Sequence, residues 1–537
     1  MKKSFSHSLT VLIVTFCGFI GWRAARDLGS LLEFGPAVAK KSELRASSDT
    51  KVRAVTARRD ALHDTTAVGI FPSCEANQVI LRFPSEKTYT AFISALKATE
   101  KIHLVDQLDQ LQAIRLSYEN WTDVCALFHG QNIAATAALP TVPLPISLTV
   151  GNQTALAGFG DGLLPWLGIT GDNSQWGAGV KIAVLDTGIV AHSALLGFTE
   201  SIALTPFPAD LNLTNGHGTA VASLIAGNDP AAPGIAPAAQ LISIRIGDEA
   251  GRADSFALAA GILTAIDSGA DIINISMGTT ENNPLIEDAV NYAHQRHVLI
   301  VAAAGNTEQS DANYPAAYPS VISVGAVDAR GEHLDFSNYG TYLSLTAPGY
   351  ALDTAWPSNR YSQLSGTSAS APIVTGAIAA TMSSGRGVTM TASQAADIVM
   401  KYSNDAGIPG PDSEYGVGIL DVGRVMNREF EGIRDVAITN QRIIKATSAA
   451  TRDAIQVTVQ NRGTSVLLDT QVELQTPFGS RNFMAKRLIP GEIQTFSMSI
   501  PLTKRRAIRV NSVATLSDSD QDFTPLNNKR SDVLLAR

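Results

Sequence analysis

One serine of this chain lies where a helix is predicted to begin, and that position suits a nucleophile. Ser368 belongs to the small-residue segment 366–372 (Gly-Thr-Ser-Ala-Ser-Ala-Pro), and the apolar residues that follow predict a helix. The first N–H groups of a helix have no partner within it, and the helix dipole adds partial positive charge there. A serine at this point can attack a carbonyl group, and the free N–H groups beside it can donate to the oxyanion that forms. A serine that only caps the helix is the alternative.

Three upstream segments carry residues that could serve such a serine. Asp186 ends the apolar run 180–186, which predicts a buried strand. His217 lies between two glycines at the start of a second small-residue helix, and Asn306 follows the apolar strand 301–304. Taken singly, they could be a turn cap, a surface loop residue and a turn former. Together they provide a base, a carboxylate to orient it and an amide donor.

These residue types divide the work of acyl transfer among them. A serine hydroxyl needs an adjacent base, and the imidazole of His217 titrates near neutral pH. Asp186 would fix the tautomer of that imidazole and stabilise its protonated form. Asn306 would donate its side-chain amide to the oxyanion, together with the backbone N–H of Ser368. The predicted catalytic residues are therefore Asp186, His217, Ser368 and Asn306.

The chain order Asp, His, Asn, Ser and the flanking sequences resemble the subtilisin-like serine proteases (subtilases, peptidase family S8). The resemblance covers about residues 163–426 and implies a fold of the α/β class, a subtilisin-like parallel sheet flanked by helices. One departure is Ile373, where the family usually has His after the proline of the serine motif. That position is not a catalytic group, so we expect altered packing and unchanged chemistry. Further similar segments are 274–278, 314–326, 336–340, 347–349 and 415–418.

The resemblance also implies a substrate pocket. The backbone of residues 276–278 could pair with an extended polypeptide substrate, which would add a strand to them. Its walls are small and uncharged, which favours apolar or aromatic side chains over Lys or Arg before the scissile bond. The residues that would line this pocket are Ser276, Met277, Gly278, Ala303, Ala304 and Gly305.

Two other hydrolase classes fit the sequence less well. Asp186-Thr187-Gly188 matches the Asp-Thr-Gly of aspartic proteases, with 267–269 as the possible partner. However, residues 255–265 have a helical pattern and a strand follows at 272–275, which is βαβ order, whereas aspartic proteases are mostly β. An α/β-hydrolase is disfavoured because Ser368 lacks a Gly-x-Ser-x-Gly elbow and the order Ser, Asp, His is absent.

Length and composition agree with an enzyme of several domains. The 537 residues exceed what one hydrophobic core organises and suggest about three units. A net charge of -8 argues against nucleic-acid binding as a main role. Charged residues make up only 17% and glycines number 43, which suits a compact enzyme rich in loops.

Residues 1–26 predict a signal peptide or a membrane anchor. Lys2 and Lys3 precede the apolar run 9–22, whose 14 residues would span about 21 Å as a helix, short of the roughly 30 Å bilayer core. That length favours a secretory signal. No Ala-x-Ala site follows, so an anchor stays open, with membrane contact only if the segment is retained. Residues 27–72 predict a linker, and we expect an exported protein, extracellular or periplasmic.

Residues 73–150 predict a small α+β domain with the order β-α-β-β-α-β of a ferredoxin-like fold. Because it precedes the catalytic region, taken as 151–430, this domain resembles the inhibitory propeptide of the family. The resemblance implies a zymogen whose own propeptide is a binding partner and fills the cleft with its C-terminal tail. Cleavage would fall within about 140–160. An ordinary accessory domain is the alternative.

Cysteines and metal ligands define no firm site. If Cys17 leaves with a signal peptide, Cys74 and Cys125 remain and could form a disulfide in an oxidising compartment; the sequence leaves this open. The catalytic region has no cysteine, which excludes a thiol nucleophile. The chemistry requires no cofactor. Structural calcium is frequent in subtilases, but no site can be mapped here, and the acidic run 518–522 departs from the EF-hand pattern.

Residues 431–537 change to short runs in which apolar and polar residues alternate, separated by turn residues. This pattern predicts a C-terminal β-sandwich, similar to immunoglobulin-like modules appended to secreted enzymes. The whole chain is thus predicted to be a secreted serine endopeptidase that acts on polypeptides and is made as a zymogen. The alternative is a catalytically silent subtilase fold used for adhesion or as a scaffold. Retention of all four catalytic residues argues against it.

Overall fold

The computed structural model describes most of the chain from residue 77 onward. The described residues are 77–96, 100–127, 134–136, 140–143, 156–160, 162–196, 198–204, 215–385, 390–445, 452–501, 507–517 and 521–535. The predicted signal or anchor and the linker lie outside them, as do Cys74 and the side chain of Cys125. Of the helices in these ranges, none is long and apolar enough to cross a membrane.

The first described region is an antiparallel sheet with two helices. Across the sheet its strands follow the order Ile102–Leu108, Ala113–Tyr118, Gln78–Arg82 and Ala134–Thr136. The first helix is amphipathic, and its Tyr89, Phe92 and Leu96 are buried against the sheet. Along the chain the elements are β1 (Gln78–Arg82), α1 (Glu86–Leu96), β2 (Ile102–Leu108), a 3₁₀ turn (Asp109–Leu111), β3 (Ala113–Tyr118), α2 (Trp121–Leu127) and β4 (Ala134–Thr136).

The central region contains a seven-stranded sheet and most of the helices. Its strands are β5 (Pro140–Pro143), β6 (Lys181–Asp186), β7 (Phe198–Ala203), β8 (Asn228–Asp229), β9 (Ala232–Pro233), β10 (Gln240–Arg245), β11 (Ala253–Asp254), β12 (Ile272–Ile275), β13 (Met277–Gly278), β14 (Leu299–Ala303), β15 (Val321–Val327), β16 (Leu345–Pro348), β17 (Leu352–Trp356) and β18 (Arg360–Leu364). Its helices are α3 (Leu163–Trp166), α4 (His217–Ala226), α5 (Ser255–Asp267), α6 (Pro284–Gln295), α7 (Thr367–Ser383), α8 (Ala392–Lys401) and α9 (Val422–Met426).

The seven strands run in the order β16-β15-β14-β12-β6-β10-β7, and every neighbouring pair is parallel. Parallel strands are covered on both faces, which explains why β6, β12 and β14 are apolar almost throughout. Two buried clusters lie on the two sides. One includes α4 and α7, and the other includes α5 and α6. The chain therefore has the central parallel sheet flanked by helices that its sequence predicts.

The last region consists of two antiparallel sheets, one of three strands and one of four. Buried aliphatic side chains from both sheets form one cluster, which includes Val457, Val472 and Val510. The strands are β19 (Val436–Ile444), β20 (Ala454–Asn461), β21 (Leu467–Thr476), β22 (Gly479–Leu488), β23 (Ile493–Ser499), β24 (Ala507–Thr515) and β25 (Lys529–Leu535).

Candidate active site

The predicted catalytic residues lie on neighbouring elements at one edge of the parallel sheet. Asp186 is the last residue of β6, and Asn306 follows β14. Parallel strands bring their carboxyl ends to the same edge, where α/β proteins commonly build their sites. His217 and Ser368 are contributed by the first turns of α4 and α7.

Asp186 and His217 form a buried pair. His217 Nδ1 lies 2.8 Å from Asp186 Oδ1 and 2.9 Å from Oδ2, so it donates its proton to the carboxylate and leaves Nε2 as the acceptor. Burial lowers the pKa of His217, but the charge of Asp186 and the hydrogen bond to it raise that pKa, and the net result is a pKa above the ordinary value. Thr187 supports the carboxylate, because its backbone N–H donates to Oδ1 over 2.7 Å.

Gly218 allows this pair to form. A Cβ atom on Gly218 would lie 2.4 Å from the carbonyl oxygen of Gly188 and 3.2 Å from Cβ of Asp186. A larger residue would therefore push the start of α4 away from the end of β6. The glycine that follows His217 in the sequence is required by this close approach.

Ser368 lies at the start of α7 and is 1% exposed. Its hydroxyl donates to the carbonyl of Ser276 over 3.1 Å, and the hydroxyl of Ser276 donates to the carbonyl of Ser368 over 3.0 Å. Within the described residues, His217 Nε2 is buried and has no hydrogen-bond partner. The Asp–His half of the predicted triad is therefore assembled, whereas the hydrogen bond between serine and histidine is not formed.

The side chain of Asn306 is oriented by Thr367, the residue before the predicted nucleophile. Asn306 Oδ1 accepts the backbone N–H and the hydroxyl of Thr367, each over 2.9 Å. Because these donors hold the oxygen, the amide nitrogen must face away from them. In the described part of the chain, Asn306 Nδ2 is buried without a partner. Sequence reasoning did not find the role of Thr367, although it lies inside the serine motif.

The six predicted substrate-binding residues occur as two short segments at this edge. Met277 and Gly278 form β13, directly after Ser276, and Ala303 to Gly305 end β14 and continue beyond it. The strand that precedes the other central strands in the chain pairs with β13. Strand β5 lies antiparallel to it, with Met277 opposite Pro143 and Gly278 opposite Val142. On its other side β5 pairs with β11.

Two further expectations concern packing and metals. Ile373, where the family usually has His, is fully buried in the cluster that contains α4 and α7. Among the described residues, no three or more His, Cys, Asp or Glu side chains are grouped so that they could hold a metal ion.

The parallel sheet, the buried Asp–His pair and the serine at a helix N-terminus define the class of subtilisin-type serine endopeptidases. The Peptidase_S8 model, described as "Subtilase family", matches residues 177–418. The thermostable alkaline protease of Halalkalibacterium halodurans is 38% identical over 272 residues, covering 49% of this chain and 73% of that protein. Subtilisin DY of Bacillus licheniformis is 36% identical over 255 residues, covering 46% of this chain and 90% of its own length. The chain therefore belongs to the subtilase family.

One solved structure supports the fold alone. The epidermin leader peptide processing serine protease of Staphylococcus aureus aligns with a TM-score of 0.56 and 20% identity, covering 65% of this chain and 99% of that one.

Proposed function

We propose that this protein cleaves polypeptides with Ser368 as nucleophile, His217 as general base and Asp186 as the group that orients His217. Asn306 Nδ2 and the backbone N–H of Ser368 donate to the oxyanion. The observation that carries this assignment is the buried Asp186–His217 pair, with Nδ1 engaged and Nε2 left as a proton acceptor. A silent scaffold would have no chemical reason to bury a carboxylate–imidazole pair in which Nε2 of His217 lacks a partner.

The chain is a zymogen in this proposal, and residues 73–150 are its inhibitory domain with a ferredoxin-like fold. Support comes from β5, which lies between β11 and β13 as the middle strand of a three-stranded sheet. An extended substrate would pair with β13 in the same way. Ser368 is also buried, as a nucleophile covered by its own chain would be.

A buried ion pair ties this inhibitory domain to the catalytic domain. Arg115 of β3 is 2% exposed, and its Nη1 lies 2.7 Å from Oδ2 of Asp254. The other oxygen of Asp254 caps α5 by accepting the N–H groups of Phe256 and Ala257. At the far end of α5, Gln110 donates to Asp267 over 3.2 Å. The inhibitory domain thus contacts both ends of α5, through β3 at one end and the 3₁₀ turn at the other, which favours a preformed complex.

Maturation would separate the two domains by cleavage after Pro143 and before the segment that begins at Ala157. Pro143 is the last residue paired with β13, whereas Ala157 is bonded to the loop after β15, where its carbonyl accepts the N–H of Ala329 over 2.9 Å. The chain is exported in this proposal, because its N-terminal 26 residues have the pattern of a signal peptide or anchor. The catalytic domain comprises 151–430, and residues 431–537 form a β-sandwich whose two sheets share one apolar core.

The same site would prefer apolar or aromatic residues before the scissile bond. None of the six pocket residues carries a charge that could pair with Lys or Arg. Gly278 also packs closely on Asn313, because a Cβ atom on Gly278 would lie 2.3 Å from Asn313 Nδ2. A peptide-library profile dominated by cleavage after Lys or Arg would contradict this preference.

The first prediction is that a fluorophosphonate probe labels Ser368 once the inhibitory domain is removed. The full-length chain and a sample clipped by limited proteolysis are labelled, and the mass and N-terminus of the labelled band are measured. We expect a band beginning between residues 144 and 157, strong after clipping and absent in Ser368→Ala. Ser370→Ala is the matched control, because Ser370 lies on the same helix but donates to Ala347 and Pro348. Absence of labelling in clipped wild-type protein would support the scaffold.

A further inference from the structure

The segment that carries Asn306 has no regular secondary structure, yet the direction of its amide matters for the proposed chemistry. Asn306 follows β14 through Ala304 and Gly305, and residues 306–308 are bends. Thr367 holds the oxygen of the Asn306 side chain, as described above. The backbone on either side of Asn306 must be held by something else.

Asn338 holds that backbone on both sides. Its Oδ1 accepts the backbone N–H of Thr307 over 2.9 Å, the hydroxyl of Thr307 over 2.9 Å and the N–H of Gln309 over 3.4 Å. Its own backbone N–H donates to the carbonyl of Gly305 over 2.9 Å. One residue therefore binds the positions immediately before and after Asn306.

The contact with Gly305 leaves no space for a side chain. Gly305 has a φ of +120°, and a Cβ atom there would lie 2.1 Å from Asn338 Nδ2. Asn338 is 2% exposed, so its amide packs directly on this glycine in the interior. Both the backbone conformation of Gly305 and its packing thus depend on Asn338.

Asn338 is itself anchored to the rigid sheet by its neighbour. The hydroxyl of Ser337 accepts the backbone N–H of Ala326 in β15 over 3.1 Å. The backbone N–H of Ser337 also donates to the carbonyl of Leu334 over 2.8 Å. The connection therefore runs from β15 through Ser337 and Asn338 to the backbone around Asn306.

We propose that Asn338 is a positioning residue that sets the direction of Asn306 Nδ2 toward the oxyanion. This inference rests on the proposed role of Asn306 as oxyanion donor. Donors for an oxyanion act through preorganisation, so a small rotation of the amide weakens transition-state binding more than substrate binding. Asn338 acts on kcat through Asn306 and makes no contact with substrate in this mechanism.

The second prediction is a double-mutant cycle between positions 338 and 306. Protein clipped by immobilised trypsin is assayed with a chromogenic peptide, and active sites are counted by fluorophosphonate labelling. We expect Asn338→Ala to lower kcat by about 10- to 100-fold with little change in KM, because misplacement by about 1 Å can cost that much. Asn306→Ala should lower kcat by about 10²–10³-fold. This is the loss seen when the asparagine that donates to the oxyanion is removed from subtilisin, a member of the same family. The double variant should lose no more than Asn306→Ala alone.

Two further variants separate positioning from stability. Asn338→Asp keeps an oxygen that accepts the same three donors and should retain most of kcat. Asn461→Ala is the matched control, because Asn461 is also a buried asparagine whose side chain makes three hydrogen bonds, with Ser465, Leu488 and Gly463 of the C-terminal region. It should lower the melting temperature and leave kcat unchanged. If Asn338→Ala does not fold, Asn338→Ser replaces it in the cycle.

Equal losses from Asn338→Ala in the wild-type and Asn306→Ala backgrounds would overturn the inference, as would an effect confined to KM. If Asn306→Ala leaves kcat unchanged, the oxyanion role of Asn306 fails, and the inference about Asn338 fails with it. If Asn306→Ala lowers kcat but Asn338→Ala does not, only the inference about Asn338 fails.

Discussion

The central sheet and the C-terminal sheets bury similar aliphatic side chains, but their strands end differently. In the central sheet every neighbouring pair is parallel, so β6, β12 and β14 end at one edge. The residues at or just beyond those ends include Asp186, Ser276 and Asn306. In the C-terminal sheets every pair is antiparallel, so neighbouring strands end at opposite edges.

This difference explains why chemistry can be assigned to one region and not to the other. A parallel sheet collects the residues that follow several strands into one place, and its helices start near the same edge. An antiparallel sheet distributes its turns over two edges, and its alternating pattern identifies a core without identifying a site. The comparison makes a prediction about substitutions that lower the free energy of unfolding by similar amounts. Only those at the carboxyl edge of the central sheet should also lower kcat.

The third prediction, with the largest effect of those that test this comparison, concerns Gly218. Gly218→Ala forces a contact with the carbonyl of Gly188 and separates His217 from Asp186. We expect a loss of at least about 100-fold in kcat from misplacement of the base, and about 1–3 kcal/mol of stability from overpacking. Peptidase assays and thermal melts measure the two effects.

Gly171→Ala is the control for that substitution. Gly171 is exposed and has no atom within 4 Å of where its Cβ would lie, so both kcat and the melting temperature should be unchanged. Full activity in Gly218→Ala would show that the close approach of α4 to β6 is not needed for the Asp–His pair.

The placement of the proposed catalytic residues around the central sheet could be predicted from sequence, because each of them is attached to a strong local pattern. Asp186 ends an apolar strand, and His217 and Ser368 begin helices made of small residues, so their placement follows from rules for strand and helix ends. The residues that hold Asn306 and its neighbouring backbone were not predicted. Thr367 and Asn338 act through contacts 61 and 31 positions away in sequence, which no local pattern reveals.

Two strands show where pattern reasoning stops. β5 contains two prolines in four residues and is a strand because β11 and β13 pair with it. β22 lies at the edge of its sheet and is exposed along most of its length, so its sequence lacks the alternation of apolar and polar residues that identifies β21. In both cases partner strands, and not the local sequence, determine the conformation.

The fourth prediction compares one leucine from each region. Leu474 lies in β21 and Leu185 in β6 beside Asp186, and both are fully buried. We expect Leu474→Ala and Leu185→Ala each to cost about 2–5 kcal/mol of unfolding free energy. Only Leu185→Ala should also lower kcat, because the cavity forms next to the catalytic edge. Calorimetry and peptidase assays on clipped protein test this, and a comparable loss of kcat in Leu474→Ala would remove the distinction between the two regions.

The fifth prediction, with the smallest effect, concerns the boundary between the regions. Asp405 lies in a cavity of about 1000 Å³ between them and is 5% exposed. Its backbone N–H donates to Gln460 of β20, and its Oδ1 accepts the N–H of Gly410. Burial, together with the nearby charge of Asp412, raises the pKa of Asp405 to about 6, despite the opposing effects of Gly410 and Arg462.

A carboxyl group whose pKa is raised by folding destabilises the protein when it is ionised. The penalty is absent below the ordinary Asp value of 3.8, develops as the pH rises toward about 6, and is complete above it. Asp405→Asn keeps the acceptor for Gly410 and removes the charge, so it should stabilise the protein by about 1–2 kcal/mol at pH 8, after allowance for water in the cavity. The gain should vanish near pH 4.

Urea unfolding of Asp405→Asn and wild type from pH 4 to pH 8 measures this difference. Asp397→Asn is the control, because Asp397 is exposed on α8 close to Asp405 in sequence and its replacement removes the same charge from a solvated position. A stabilisation that is equal at all pH values would mean that folding does not shift the pKa of Asp405, and that the gain does not come from its charge. A loss of stability in Asp405→Asn at pH 8 would mean that the attraction between Asp405 and Arg462 outweighs the cost of burying the carboxylate. Charge would then stabilise the contact between the two regions, whereas apolar packing stabilises each region internally.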